Sequence, residues 1–227
     1  MANITISRNV SLPNTMINAS SLPNIKLTYF NLRARAEPAR ILLAYAGVSY
    51  QDNRLPPPWE NIEAWAAQKN SYPYGCLPML YWGEEEIAQS VAIARFLATK
   101  FGLIGRDNIE TAQVDEIICA LQDVINAGYA VLHEKDETRK TSLAEKHKDV
   151  TIPTVLTNIE KRLQSRGGQF LVGNALTWAD FQTFFFCSEL RDQEVLKTVP
   201  GIADLVSRVG NLPNIKAWLK SRPANPF

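Results

Sequence analysis

Long hydrophobic runs are missing from this sequence. No apolar stretch among its 227 residues approaches the roughly 20 that span a bilayer, so no transmembrane helix is expected. Cysteine is scarce: three, at 76, 119 and 187, with no CxxC pair. An odd, scattered set makes no disulfide framework, and a reducing compartment fits it. An excess of one charge is also absent. With a formal charge of +1 and acids and bases mixed along the chain, nothing favours nucleic acid or a membrane surface as a partner. The first 24 residues carry one charged side chain, Arg8, and lack the apolar core of a secretory signal. The sequons at Asn3 and Asn18 are therefore read as chance, and the protein is expected in the cytoplasm. The tetrad SLPN stands at 11–14 and again at 21–24, and residues 1–24 are expected to be a disordered or loosely attached extension.

What is present is apolar material enough for a sizeable core, 46% of residues, in one large domain or two small ones. Residues 26–30 read as a strand. From Glu37 the spacing turns helical, with Pro38 suited to a first turn and Gly47 to a C-terminal cap. A second strand is expected over 48–54, which closes a βαβ unit with parallel strands. A short helix follows within 56–69, then strands at 79–82 and 86–88, and a helix to about 101 for which Ser90 is the natural N-cap. Beyond it only helices are expected, at 108–135, 150–166, 178–190, 200–209 and 213–221. The architecture predicted is a small α/β domain followed by an all-helical one.

Ligands of an open α/β layer bind beyond the carboxyl ends of its parallel strands. Several features converge there. Tyr29 ends the first strand, where a phenol, neutral at pH 7, can donate to an anion; Arg35 follows in the loop. Leu77 precedes Pro78, and a cis bond there would present the backbone of residue 77 as a strand edge. Gln89 and Ser90 open a helix, whose free N–H groups attract an anion. Trp65 and Lys69, four apart, share a helical face and could hold a carboxylate. Each feature alone also has a plain structural explanation: a core tyrosine, a solvated cation, a trans proline, an ordinary cap, a half-buried tryptophan. Together they describe a groove for an extended peptide with two carboxylates and a central thiol.

The stretches LTYFNLRARAEPAR, CLPML, AQSVAIARFLA and LVGNALTWADF resemble a cytosolic glutathione transferase of the sigma class, the class of the haematopoietic-type prostaglandin D synthases. The resemblance covers residues 25–227. It implies a thioredoxin-like domain over 25–102, an all-helical domain over 103–227 that contributes the electrophile pocket, and a homodimer. It implies glutathione as co-substrate, a small apolar electrophile as its partner, and a cis peptide bond before Pro78. Tyr29 then matches the hydrogen-bond donor to the glutathione sulfur, with Arg35 beside it. A free thiol has a pKa of about 8.5, and stabilising its anion by ~2.7 kcal/mol would lower that by about two units. Leu77 matches the residue whose backbone pairs with the cysteinyl part, and Gln89 and Ser90 the pair on the γ-glutamyl carboxylate. Trp65 and Lys69 match the pair on the glycine carboxylate, with Trp59 a competitor for Trp65 because about six extra residues precede the loop Gly75, Cys76, Leu77. Asp123 matches an aspartate that reaches the glutathione of the partner subunit. Thr177 and Asp180 resemble the family's capping box, a folding element.

The departures matter as much. Cys76 stands where a lysine or glutamine is usual, and Ala34 where glycine is usual. Cys119, Gln122 and Asp123 stand at the positions of the three aspartates that hold a divalent metal in the vertebrate synthase; two of the carboxylates are missing, so no metal is expected. The electrophile pocket is expected from Leu32, Ala34, Ile125, Tyr129, Gln182 and Phe186, the last two replacing a tyrosine and a cysteine of that synthase. Conjugation of apolar electrophiles, xenobiotics or lipid-peroxidation products, is the leading expectation. A glutathione-dependent isomerase of prostaglandin H2 to D2, and a non-catalytic crystallin-like protein or apolar carrier, are the alternatives.

Overall fold

The computed structural model describes residues 22–224. The expectations for the sequons, the first SLPN and most of the extension therefore fall outside the described residues. Of its last three positions, Leu22 packs against the core and the Asn24 carbonyl accepts from Gly83 N–H at 2.8 Å.

The first half builds a four-stranded sheet of order β2-β1-β3-β4, from β1 (Ile25–Phe30), β2 (Gln51–Leu55), β3 (Met79–Trp82) and β4 (Glu85–Ala88). β1 pairs parallel with β2 and antiparallel with β3, and β3 pairs antiparallel with β4. β1 is central, and its residues Ile25, Leu27, Thr28 and Tyr29 are all buried, as a strand covered on both faces requires. Thr28, the polar member, accepts from Asn53 Nδ2 at 3.1 Å on the neighbouring strand.

Helix α1 (Glu37–Tyr45) carries proline in its first turn. It ends in a Schellman turn: Gly47, at φ +66°, donates to Ala44 O and Val48 N–H to Leu43 O, both at 3.0 Å. That turn consumes Val48, so β2 begins at Gln51 rather than at residue 48 as expected from its apolar start. α2 (Ile62–Gln68) is capped by Asn61, whose side chain accepts from Ala64 N–H at 2.9 Å. α3 (Ser90–Lys100) closes the first half.

The second half is helical: α4 (Asn108–His133), α5 (Glu137–Lys146), α6 (Ile152–Ser165), α7 (Trp178–Ser188), α8 (Pro200–Gly210) and α9 (Pro213–Ser221). A π-helical turn, His147–Thr151, joins α5 to α6. α5 is not among the expected helices. Its sequence, ETRKTSLAEK, buries no residue and carries no apolar stripe, which is the signal a sequence reading relies on. It stands on local terms, capped by Asp136, which accepts from Arg139 N–H at 2.8 Å. α7 is its opposite, with ten consecutive buried residues from Trp178 to Cys187, and forms the centre of the helical half.

A buried charge cluster joins the halves. Glu37, on α1, receives Trp218 Nε1 at 2.8 Å and Arg222 Nη1 at 2.9 Å from the end of α9, and Arg40 Nη1 at 3.3 Å from its own helix. Arg40, fully buried, also reaches Asp52 at 3.2 Å and donates to the Leu32 carbonyl at 2.6 Å. Arg33 pairs with Glu189, after α7, at 3.1 Å. The loop between β1 and α1 is thus held from below by Arg40 and from the side by Glu189.

Candidate active site

Tyr29 lies at the end of β1, 5% exposed, its ring tilted against Phe30 at 5.4 Å. Burial, with the nearby Tyr129 phenol adding to it, pushes its pKa up to about 12. The backbone N–H of Arg35, bonded to the hydroxyl, and the charges of Arg35 and Arg40 only temper that rise. The hydroxyl therefore stays protonated at neutral pH. With the Arg35 N–H satisfying it as an acceptor, its own proton is left to donate.

A short 3-10 turn, Ala34–Ala36, brings that N–H to the tyrosine. It requires Ala34 to adopt φ +33°, a region that side chains other than glycine avoid. The Arg35 guanidinium lies 4.4 Å over the Tyr129 ring, a cation–π contact that ties the loop to α4.

Across the sheet end, the Leu77–Pro78 peptide is cis, as the resemblance implied. Leu77 and Pro78 are buried; Cys76 is partly exposed, and its Sγ receives Gln89 Nε2 at 3.9 Å. Gly75, at φ +60°, closes a turn by donating to Tyr72 O at 2.9 Å. The expected capping role of Ser90 is corrected here. α3 starts at Ser90, and the capping position is Gln89, whose carbonyl accepts from Ile93 N–H at 2.9 Å without any side-chain cap. Gln89 holds φ +72° and ψ 117°, so the two non-glycine residues of positive φ among those described, Ala34 and Gln89, both stand at this site. Because no side chain caps α3, its first N–H groups lack the oxygen that an N-cap normally supplies.

Trp65 packs edge-on to Phe30 at 4.9 Å and stacks on Tyr72 at 5.9 Å. Trp59, by contrast, is 68% exposed. Of the two tryptophans, Trp65 is the one built against the residue next to Tyr29. Lys69 is exposed at the end of α2, its N–H donating to the Trp65 carbonyl. Asp123 is exposed on α4.

A cavity of about 180 Å³ opens between the halves. It brings together Ala34, Arg35, Ser90, Ile125, Tyr129, Gln182 and Phe186. Leu32 is not in its lining; it is buried in the core, and its carbonyl is the one Arg40 holds. Val91, Gln122, Phe185 and Leu190 line the cavity without having been expected to. The sequence offered a hint in the FFF run of α7, too apolar throughout to say which phenylalanine faces a cavity. Among the described residues, no group of three or more His, Cys, Asp or Glu is placed to hold a metal ion, and no helix is long and apolar enough to cross a membrane.

Two family models match, the N-terminal domain of glutathione S-transferase over residues 25–99 and its C-terminal domain over 122–222. The chain belongs to the glutathione S-transferase family. The sheet with its helices is the family's thioredoxin-like N-terminal domain, and the helical half its C-terminal domain. Glutathione S-transferase 1 of Ascaris suum is 35% identical over 219 residues, which cover 91% of this chain and 100% of that one. S-crystallin 4 of Enteroctopus dofleini is 33% identical over 91% of this chain and 100% of its own. Hematopoietic prostaglandin D synthase of Gallus gallus is 35% identical over 89% and 98%. Among solved structures, a glutathione S-transferase of the hookworm Necator americanus, described as monomeric, superposes with a TM-score of 0.81 at 31% identity, covering 90% of this chain and all of that one.

Proposed function

We propose that this transferase is a cytoplasmic, sigma-class enzyme that adds the thiolate of glutathione to apolar electrophiles such as xenobiotics and lipid-peroxidation products. One observation carries the reading: Tyr29 is a phenol kept neutral by burial, its acceptor side taken by Arg35 N–H, at the end of the strand beside an apolar cavity. Such a group serves one chemistry well, donation to a sulfur that is to remain an anion. Arg35 adds positive potential.

The other roles follow the groove. Leu77 pairs its backbone with the cysteinyl part. Gln89, Ser90 and the uncapped start of α3 take the γ-glutamyl carboxylate, and Trp65 and Lys69 take the glycine carboxylate, with Gly75, Cys76 and Pro78 shaping the loop between. We assign residues 25–102 to glutathione and 103–227 to the electrophile. Ala34, Ile125, Tyr129, Gln182 and Phe186 receive the electrophile, and Leu32 supports their loop from the core. Asp123 acts across a homodimer, reaching the glutathione of the partner; a sedimenting species of monomer mass at assay concentration would remove that role.

The deciding experiment is conjugation of glutathione to a chromogenic aryl halide by the wild type and by Tyr29→Phe. Loss of one preorganised donor should lower kcat about 100-fold, with glutathione affinity little changed. Equal rates would strip Tyr29 of its role. Inactivity of both would favour the crystallin-like structural reading that the octopus relative suggests.

A further inference from the structure

The loop between β1 and α1 carries the backbone N–H that meets Tyr29, and it does so in a strained conformation. Ala34, at φ +33°, stands where a side chain is rarely tolerated. Such a residue keeps its place only when its surroundings over-determine it. Its own side chain is a methyl group and can bond nothing. The ties must come from its neighbours, because a torsion is fixed only when the chain is held on both sides of it.

On the far side, the Arg35 N–H bonds the Tyr29 hydroxyl and the Arg35 guanidinium lies on the Tyr129 ring. On the near side there are two ties. The Arg33 carbonyl accepts from Glu37 N–H at 3.0 Å, a bond that any helix start could make. The Arg33 side chain reaches across to the helical half, where Nη2 meets Glu189 at 3.1 Å. Its Nε is buried without a partner, so Glu189 is the acceptor that this guanidinium finds among the described residues. The two side chains are only 24% and 22% exposed, and solvent screens such a pair less than one at the surface. Arg40 holds the Leu32 carbonyl, one residue further back, and leaves the torsions of Arg33 itself unfixed.

Glu189 makes a firm anchor. It stands at the C-terminal cap of α7, just past ten consecutive buried residues. Its other oxygen lies 3.8 Å from Arg222, which in turn holds Glu37. It also lines the cavity between the halves. One carboxylate thus touches the wall of the proposed electrophile pocket and the loop beside Tyr29.

We propose that Glu189 is a positioning residue of the transferase site: through Arg33 it holds Ala34 at positive φ, and so keeps the Arg35 N–H on the acceptor side of Tyr29 and the phenolic proton aimed at the sulfur. Its role rests on the one proposed above for Tyr29. The helical half then takes part in activating the thiol as well as in receiving the electrophile. A clamp that served stability alone would lower Tm and leave the thiol unmoved, so the test reads the thiol.

The full chain, saturated with glutathione, is titrated with base while the ultraviolet band of the thiolate is followed. In the wild type the thiolate should appear well below the pH of free glutathione, and in Tyr29→Phe close to it. Glu189→Met keeps the length of the side chain and removes the acceptor; it should raise the bound thiol's pKa by about one unit, a roughly tenfold loss of thiolate relative to thiol. The same change is then made in the Ala34→Gly background. Glycine adopts positive φ unsupported, so there Glu189→Met should move the thiol by less than about a third of a unit. Arg33→Met breaks the same pair from the other side and should give the same two results, which decides the matter if Glu189→Met folds poorly. A thiol unmoved by Glu189→Met and Arg33→Met, yet raised by Tyr29→Phe, would overturn the role of Glu189 and leave that of Tyr29 standing. Equal shifts in the two backgrounds would overturn it too, since the pair would then act other than through Ala34. A wild-type thiol that titrates as free glutathione does would sink the activation by Tyr29 and the role of Glu189 with it.

Discussion

The role proposed for Tyr29 makes two demands: the hydroxyl must be dry enough to bind an anion strongly and must never ionise itself. Burial meets both, because it raises the phenol to about 12 and desolvates its neighbours by the same act. The sign of the linkage follows. A pKa raised on folding contributes stability that is complete below the ordinary tyrosine value and is lost only as pH climbs through about 12. Across the pH range of the aryl halide assay Tyr29 should therefore not titrate, and the rise of kcat/KM with pH should be the thiol's. In Tyr29→Phe that rise should move to higher pH, toward the free thiol. Tyr29 and Arg35 stood out only together with the other features of that sheet edge, since a core tyrosine and a solvated cation would explain each alone. The cap of α3 was assigned to Ser90, one residue too late, and falls on Gln89. Serine's preference for caps is a local propensity, whereas the positive φ that puts Gln89 in the capping position belongs to the bend from β4 into α3, which no local rule encodes.

Elements show the same division. Helices with a buried stripe were legible to within a few residues, and α5 was not, since a helix polar on every face differs from a loop only in its cap. α7 lies at the other extreme, and its start rests on one carboxylate. Asp180 accepts from Thr177 N–H at 2.7 Å, Thr177 Oγ1 at 2.9 Å and Leu171 N–H at 3.0 Å, and is wholly buried. Asp180→Ala would strand two buried N–H groups, so a loss of about 2–4 kcal/mol is expected from the urea midpoint. The group also carries a pH signature. Burial outweighs these donors and the Asp180 backbone N–H and lifts its pKa to about 6. The folded value exceeds the unfolded one, so stability relative to Asp180→Asn should fall as pH rises from the free-carboxylate range through about 6, then level off.

For the whole molecule, the division into a sheet half and a helical half was legible, and the fastening between them was not. Nothing local in the sequence marks Glu37 and Arg40 as buried. Their burial depends on Trp218 and Arg222, which meet Glu37 from 181 and 185 positions further along the chain. Removing the carboxylate's charge leaves Arg40 buried with Asp52 alone, the expensive way to break a buried cluster. Glu37→Gln should therefore cost about 3 kcal/mol, a fall of roughly 6–12 °C in Tm. Adding Arg222→Gln should cost less than the sum of the two single changes, since both remove the same pair.

The distance along the chain has a consequence for biosynthesis. While a ribosome is still adding the helical half, the emerging sheet half holds an acid matched by one guanidinium and no indole. Its final electrostatic closure has to wait for α9. The carbonyl of Leu32, and with it the loop proposed to support the reacting thiol, is gripped by an arginine whose own surroundings are incomplete until then. The charge cluster beneath that loop is thus whole only once α9 has been made.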